Sequence, residues 1–190
     1  MEDWIKDRLR QWIDASGGMF LIDATLLADV QGLGRLDVEL IKETERLKTK
    51  SKIYGKTKLK HVTLSKLWIL EAYNIVRLMT QITSSPRDLL ISKKTKSKIL
   101  ETKKEFEKIR IPLTKFQMPR RQFDILKKER PQKENRTFSQ YPDSFIDSSG
   151  EVGWKVYTMI ERRPTERYYR RSFGDLLLKL FESINKDRFK

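Results

Sequence analysis

Residues 63–82 read TLSKLWILEAYNIVRLMTQI and carry the clearest helical pattern of the chain. Apolar side chains recur every three or four residues and cover most of the circumference of a helix, which leaves a narrow polar stripe. Thr63 is placed to cap the N-terminus of this helix. A helix that is apolar on most sides is normally buried among neighbouring elements. We therefore predict that 63–82 is the central helix of the fold.

Four other segments show helical spacing and are expected to pack around that helix. They are residues 3–14, 36–47, 86–109 and 175–187, and Gly32 and Gly34 are expected to break the chain before the second of these helices. The first carries Trp4 and Trp12 on one side, which indicates docking on the core, although two Trp with flanking bases also suit a membrane interface. Pro86 is typical of a first helical position, and Pro112 is expected to end the third of these helices.

A small antiparallel sheet is predicted near the C-terminus. Residues 151–160 alternate between apolar and polar side chains, and 166–171 are expected to return as the second strand of a hairpin. A third strand would come from 113–118 or from 19–28, although an apolar run as short as 19–28 also fits a helix. We thus predict an α+β fold, mainly helical, with residues 1–190 forming a single domain.

Two segments do not fit this simple pattern. The lysines of 47–61 fall at even positions, which indicates either an extended hairpin with one basic face or a solvated loop. The basic segment at about 112–150 contains four of the six Pro residues and is expected to be irregular.

Positive charge is the feature that bears most directly on function. The chain holds 41 Lys and Arg against 26 Asp and Glu, a net charge of +15. Residues 84–140 hold 17 of these bases and 7 of the acids, which places +10 of the surplus there. Because a Lys or Arg near a phosphate releases condensed counterions, a basic region of this kind favours nucleic acid as a partner. The sequence does not distinguish RNA from DNA.

The predicted phosphate-binding residues lie in this basic region and in the C-terminal hairpin. Residues 167–171 read RYYRR, and on a strand Tyr168 and Arg170 share one face while Tyr169 and Arg171 share the other. Aromatic rings stack on exposed bases, and Arg pairs with phosphates. The competing interpretation is that one Tyr packs inward and the Arg side chains are solvated. The predicted set is Lys93, Lys94, Lys96, Lys98, Lys103, Lys104, Arg120, Arg121, Arg162, Arg163, Arg167, Tyr168, Arg170 and Arg171.

Signals for catalysis and for metal binding are weak. The chain has no Cys, which excludes thiolate metal sites and disulfides, and its single His61 is more typical of a packing or surface residue than of a ligand. No P-loop, dinucleotide-binding or nucleophile-elbow motif occurs. Asp143, Glu151 and Lys155 lie near one another, but their spacing is not specific for a Mg²⁺-dependent nuclease. We expect no catalytic residue, no cofactor and no metal.

The compartment and the alternative functions follow from the same features. No apolar run reaches the ~18 residues of a membrane span, and the start Met1-Glu2-Asp3 lacks the pattern of a signal peptide. We expect a cytoplasmic, non-enzymatic nucleic-acid-binding protein of low sequence specificity with no membrane partner. The first alternative is an assembly factor whose basic segment binds an acidic protein, and the second is a metal-dependent nuclease. The oligomeric state is not indicated.

Overall fold

The computed structural model describes residues 2–49, 55–85, 91–115, 143–157 and 164–188. Within these ranges the chain is mainly helical and carries a small three-stranded antiparallel sheet, which confirms the predicted α+β class. The elements in chain order are helix α1 (Glu2–Ser16), a 3-10 helix (Gly17–Leu21), α2 (Leu26–Thr49), α3 (Gly55–Ser84), α4 (Lys93–Lys115), strands β1 (Asp143–Ile146), β2 (Val152–Tyr157) and β3 (Pro164–Tyr169), and α5 (Arg170–Asp187).

Helix α3 lies at the centre of this arrangement, as its sequence predicts. It contacts α2, α4 and α5 and also touches β1 and β2. One broad face is buried, and its largest side chain, Trp68, is fully enclosed. Another side of the helix is open to solvent, and two of its apolar side chains are exposed there: Leu67 by 52% and Leu78 by 40%. The helix is therefore central without being covered on every side.

Helix α2 is longer than predicted and runs through both Gly32 and Gly34. Gly34 permits a close approach between α1 and α2, because a Cβ added there would lie 2.5 Å from Cβ of Trp12. Trp12 is fully buried at this contact between the two helices. Glycine at position 34 thus serves helix packing and does not mark a chain break, and the prediction of a helix confined to 36–47 is wrong.

The sheet has the order β1-β2-β3, and β1 supplies the third strand. Neither predicted source forms a strand within the described residues: 19–21 belong to the 3-10 helix, 26–28 to α2 and 113–115 to α4, while 116–118 lie outside the described residues. The turn between β1 and β2 is closed by Asp147, whose carboxylate accepts hydrogen bonds from the backbone N–H groups of Ser149 (2.9 Å) and Glu151 (3.0 Å). Gly150 completes the turn at φ +80°, a conformation that favours glycine.

Other boundaries also move relative to the predictions. Helix α4 passes through Pro112 to Lys115, so the described parts of 112–150 are the end of a helix and a strand with its turn, and 116–142 lie outside the described residues. Residues 55–61 form the first turns of α3, so the lysines of this segment do not line a hairpin. The helical register distributes them around the axis. In the described part of the chain, no helix combines the length and apolar character needed to cross a membrane.

The two glycines of α2 provide a matched test of this packing. We expect Gly34→Ala to destabilise the protein by about 1–3 kcal/mol, because the added methyl group collides with the enclosed Trp12. Gly32→Ala meets nothing within 4 Å and should stabilise the helix by about 0.5–1 kcal/mol. Urea denaturation of both variants measures the difference. Equal effects of the two substitutions would contradict the close α1–α2 contact.

Candidate functional site

Helix α4 carries lysines around the part of its circumference that does not face the core. Its buried stripe is Thr95, Ile99, Thr102, Phe106, Ile109 and Leu113. Lys93, Lys94 and Lys104 are exposed and Lys96 is half-exposed. The ion pairs made by α4 among the described residues use other lysines. We call Lys93, Lys94, Lys96 and Lys104 the α4 lysine surface.

Three other lysines of α4, Lys98, Lys103 and Lys108, are engaged with neighbouring side chains. Lys103 pairs with Glu107 at 3.2 Å, and Lys108 pairs with Glu105 at 2.8 Å. Lys98 Nζ donates a hydrogen bond to Ser183 Oγ of α5 at 3.0 Å. Exposed ion pairs contribute only about 0–1 kcal/mol each, but the nearby acids reduce the positive field of these lysines. Glu107 thus reduces the positive field at Lys103, and the hydrogen bond to Ser183 holds Lys98 against α5.

The N-terminus of α4 is fixed by an acid from another helix. Lysines in a first turn lie at the positive end of the helix dipole, which is unfavourable. The carboxylate of Asp187, from the end of α5, offsets this by accepting hydrogen bonds from Ser92 N (3.0 Å) and Thr95 Oγ1 (2.6 Å). Ser92 Oγ in turn accepts from Thr95 N at 3.1 Å and caps the helix. The basic turn is thereby held in place on α5.

The side chains of the predicted Arg-Tyr strand, residues 167–171, differ in how far they are buried. Tyr168 faces the core side of the sheet, where its ring centroid lies 6.0 Å from that of Phe173 and its hydroxyl donates to Glu166. Burial raises the pKa of Tyr168. This tyrosine is a packing residue and cannot offer a free ring to a base. Arg167, on the same strand, is exposed on the other face.

The prediction that Arg170 binds phosphate is wrong, because its side chain is 0% exposed. Strand β3 ends at Tyr169 and α5 begins at Arg170, which turns this side chain into the interior. Its Nη1 donates to Asp37, its Nε lies 3.8 Å from Glu151 Oε1, and its guanidinium lies 5.8 Å from the ring centroid of Trp68. A phosphate cannot reach it. Arg171 is exposed, with its guanidinium 5.9 Å from the centroid of the Trp4 ring.

Asp37 is the acceptor around which this interior cluster is arranged. The carboxylate is fully buried in α2 and accepts hydrogen bonds from Trp12 Nε1 (3.0 Å) and Arg8 Nε (2.9 Å) as well as from Arg170. Arg8 also donates to Asp175 Oδ1 of α5 at 2.6 Å. One carboxylate thus joins α1, α2 and α5, and no sequence pattern singled it out.

His61 is buried on α3 and belongs to the same interior. Its Nε2 lies 3.2 Å from Thr44 Oγ1 of α2. Burial, together with the nearby positive charge of Arg170, lowers the pKa of His61 to about 4, although Glu43 and the backbone of Gly150 act in the opposite direction. The imidazole is neutral at pH 7 and serves as a packing residue, one of the two roles that its sequence context indicates.

The outward face of the sheet brings together residues that the sequence prediction largely missed. Phe145 of β1 and Tyr169 of β3 flank Gly153 of β2, and their ring centroids are 5.7 Å apart. Lys155 pairs in register with Arg167, and its Nζ lies 5.7 Å from the Phe145 ring centroid. We call Phe145, Lys155, Arg167 and Tyr169 the outer sheet face. The period-two pattern of β3 could have selected Tyr169 in place of Tyr168, but the inward face was not evident from sequence.

Four predicted cations cannot be compared with the structure. Arg120, Arg121, Arg162 and Arg163 lie outside the described residues. Within the described ranges, no group of three or more His, Cys, Asp or Glu side chains is placed to hold a metal ion. Glu151 and Lys155 diverge, since Glu151 is buried beside Arg170 and accepts from Arg171 N at 3.1 Å, whereas Lys155 lies on the outer sheet face. The geometry therefore does not favour a nuclease centre built from these two residues.

The chain shows no significant similarity to a protein-family model, to a curated protein sequence or to a solved structure.

The contribution of Asp37 to stability can be compared with that of Asp175, because both carboxylates accept a hydrogen bond from Arg8. Asp37→Asn should cost about 3–5 kcal/mol of unfolding free energy, because it leaves Arg170 buried with its main counter-charge removed. Asp175→Asn should cost only about 0–1 kcal/mol, since the Asp175 side chain is 45% exposed. Urea denaturation of both variants is the measurement. A similar cost for both would show that Asp37 does not hold the interior cluster.

The pH dependence of stability tests the environment of His61. Its pKa is about 4 in the folded protein and 6.5 when unperturbed, so acidification protonates the unfolded chain first. The contribution of neutral His61 to the free energy of unfolding is complete above pH 6.5 and is lost as the pH falls to about 4. The total loss is about 3 kcal/mol. In His61→Gln this part of the pH dependence should vanish, as measured by denaturation at pH 7, 6, 5 and 4. Parallel curves for the two proteins would refute a buried neutral imidazole.

Proposed function

We propose that this protein binds nucleic acid with low sequence specificity, without catalysing a reaction, and that the α4 lysine surface is its main phosphate-binding site. The observation that carries the proposal is the group of four lysines on one helix that make no ion pair among the described residues. They belong to the region 84–140, which holds +10 of the +15 net charge. We also infer a cytoplasmic location.

The spacing of the α4 lysine surface suits a polyanion. Lys93 and Lys104 are eleven residues apart, which corresponds to about 16 Å along the helix axis. That distance matches roughly five phosphates of one strand of a duplex at about 3.4 Å each. An ammonium group can follow a phosphate backbone on its flexible stem without a fixed geometry. The helix therefore offers several contacts to one ligand.

Low sequence specificity follows from the chemistry of these side chains. Lysines that contact phosphates fix the position of a protein on nucleic acid but do not read the bases. Arg170, which could have formed a bidentate contact with a phosphate, is enclosed in the core. Binding would then depend on charge and weaken steeply with salt.

An acidic protein partner is the second candidate, and one observation favours it. Leu100 lies on α4 and is 44% exposed beside the lysines. An acidic peptide with an apolar side chain would match this combination. Co-purification after nuclease treatment separates the two candidates, because a protein partner survives that treatment and a nucleic acid does not.

Replacement of the four lysines tests the proposed function. The variant changes four lysines to glutamine: Lys93, Lys94, Lys96 and Lys104. Its plot of log Kobs against log salt should be less steep by about 3, because about 0.7–0.9 counterions are released per phosphate contact. Fluorescence anisotropy with a labelled 20-mer between 50 and 300 mM salt measures the slope.

The control variant also loses four lysines, but each of them comes from a different helix outside α4. Lys6, Lys42, Lys56 and Lys179 are exposed on α1, α2, α3 and α5, and all four are changed to Gln. This control should keep most of the slope. An equal loss of slope in both quadruple variants would mean that only net charge matters, and absence of binding by the wild type at 50 mM salt would end the proposal.

A further inference from the structure

The outer sheet face holds two aromatic rings that do not belong to the core. In the described part of the chain, Phe145 and Tyr169 are absent from the buried cluster and from the side chains packed against it. Their strand neighbours Ile146 and Tyr168 do pack against that cluster. Alternation along β1 and β3 therefore directs one set of side chains inward and places these two rings on the opposite face.

Gly153 leaves room for both rings, which meet edge to face at an interplanar angle of 84°, and we call the pair the stacking platform. Gly153 lies opposite Phe145 on one side and opposite Tyr169 on the other. A Cβ added at Gly153 would lie 2.5 Å from Cζ of Phe145, so the ring lies directly over the glycine backbone. On the inner side of the same strand, Val152 and Trp154 are 0% exposed. The platform is thus backed by the rigid core.

Two cations flank these rings on the same face of the sheet. Lys155 lies in register between Asp143 of β1 and Arg167 of β3, so this row across the sheet contains two bases and one acid. Lys155 Nζ lies 5.7 Å from the Phe145 ring centroid, so positive charge and aromatic surface are adjacent. A phosphate could be held by the two cations while a base meets one of the rings.

We propose that the outer sheet face binds single-stranded nucleic acid, with a base stacked on the ring of Tyr169 or Phe145 and phosphates held by Lys155 and Arg167. Bases in a duplex are already stacked and paired, so their faces cannot meet a ring on a sheet. Stacking on aromatic side chains tolerates any base, since every base has a π-face. This inference rests on the proposed function and narrows the ligand from nucleic acid in general to its unpaired form.

The test compares Tyr169→Leu with Tyr169→Phe, which keeps the ring. The probes are labelled dT20, rU20 and a 20-base-pair DNA duplex. Tyr169→Leu should weaken binding to the single strands by about 5- to 100-fold with an unchanged salt slope, because it removes stacking and no charge. Tyr169→Phe should bind like the wild type, and duplex binding should not change in either variant. The dT20 and rU20 arms show whether DNA, RNA or both are bound.

The outcomes separate this inference from the proposed function. If the wild type binds duplex and single strands but a folded Tyr169→Leu binds dT20 and rU20 as well as the wild type does, the stacking platform is refuted and the α4 lysine surface stands. If the wild type binds none of the three probes, the proposed function fails and this inference fails with it.

Photocrosslinking of the wild type provides a measurement that does not depend on the folding of a variant. An rU20 probe that carries 4-thiouridine is irradiated in complex with the protein, and crosslinked peptides are mapped by mass spectrometry. Crosslinks at Tyr169 or Phe145 support stacking on the sheet. Crosslinks confined to other parts of the chain overturn it.

Discussion

The buried pair between Asp37 and Arg170 is the interaction on which the rest of the structure depends. It joins the middle of α2 to the point where β3 becomes α5, and the same carboxylate also holds Trp12 and Arg8 of α1. A charge in the interior is costly unless it is paired and hydrogen-bonded. The sheet, α1, α2 and α5 therefore meet at one point, and the Trp12 that donates to Asp37 is the same side chain that packs on Gly34.

Burial also divides the cations of this basic chain by role. Arg170 and Arg8 face carboxylates in or near the core and stabilise the fold. Lys93, Lys94 and Lys104 are exposed on α4, where the Asp187 contact to Ser92 and Thr95 fixes the helix start. A net charge alone cannot make this distinction, because it counts an enclosed guanidinium and an exposed ammonium equally.

Sequence patterns predicted the fold class and the central helix because both depend on local periodicity, which is strong over 63–82. They failed where a distant contact decided the structure. Gly34 resembles a helix breaker until Trp12 is placed against it, and Arg170 resembles a phosphate ligand until Asp37, 133 residues away, is placed beside it. Among the α4 lysines of the predicted set, Lys93, Lys94 and Lys104 are exposed, whereas Lys98 and Lys103 contact neighbouring side chains that the sequence does not reveal. Tyr169 was overlooked because period two gives two faces and does not say which one points outward.

Two-dimensional ¹H–¹⁵N NMR with a single-stranded oligonucleotide tests this division of roles most directly. The account predicts that titration shifts the backbone signals of Lys93, Lys94, Lys96 and Lys104, together with those of Phe145, Arg167 and Tyr169. The Nε–Hε signals of Arg8 and Arg170 should stay in place, because their carboxylate partners are unchanged. A shift of the Arg170 signal with no change along α4 would contradict the account.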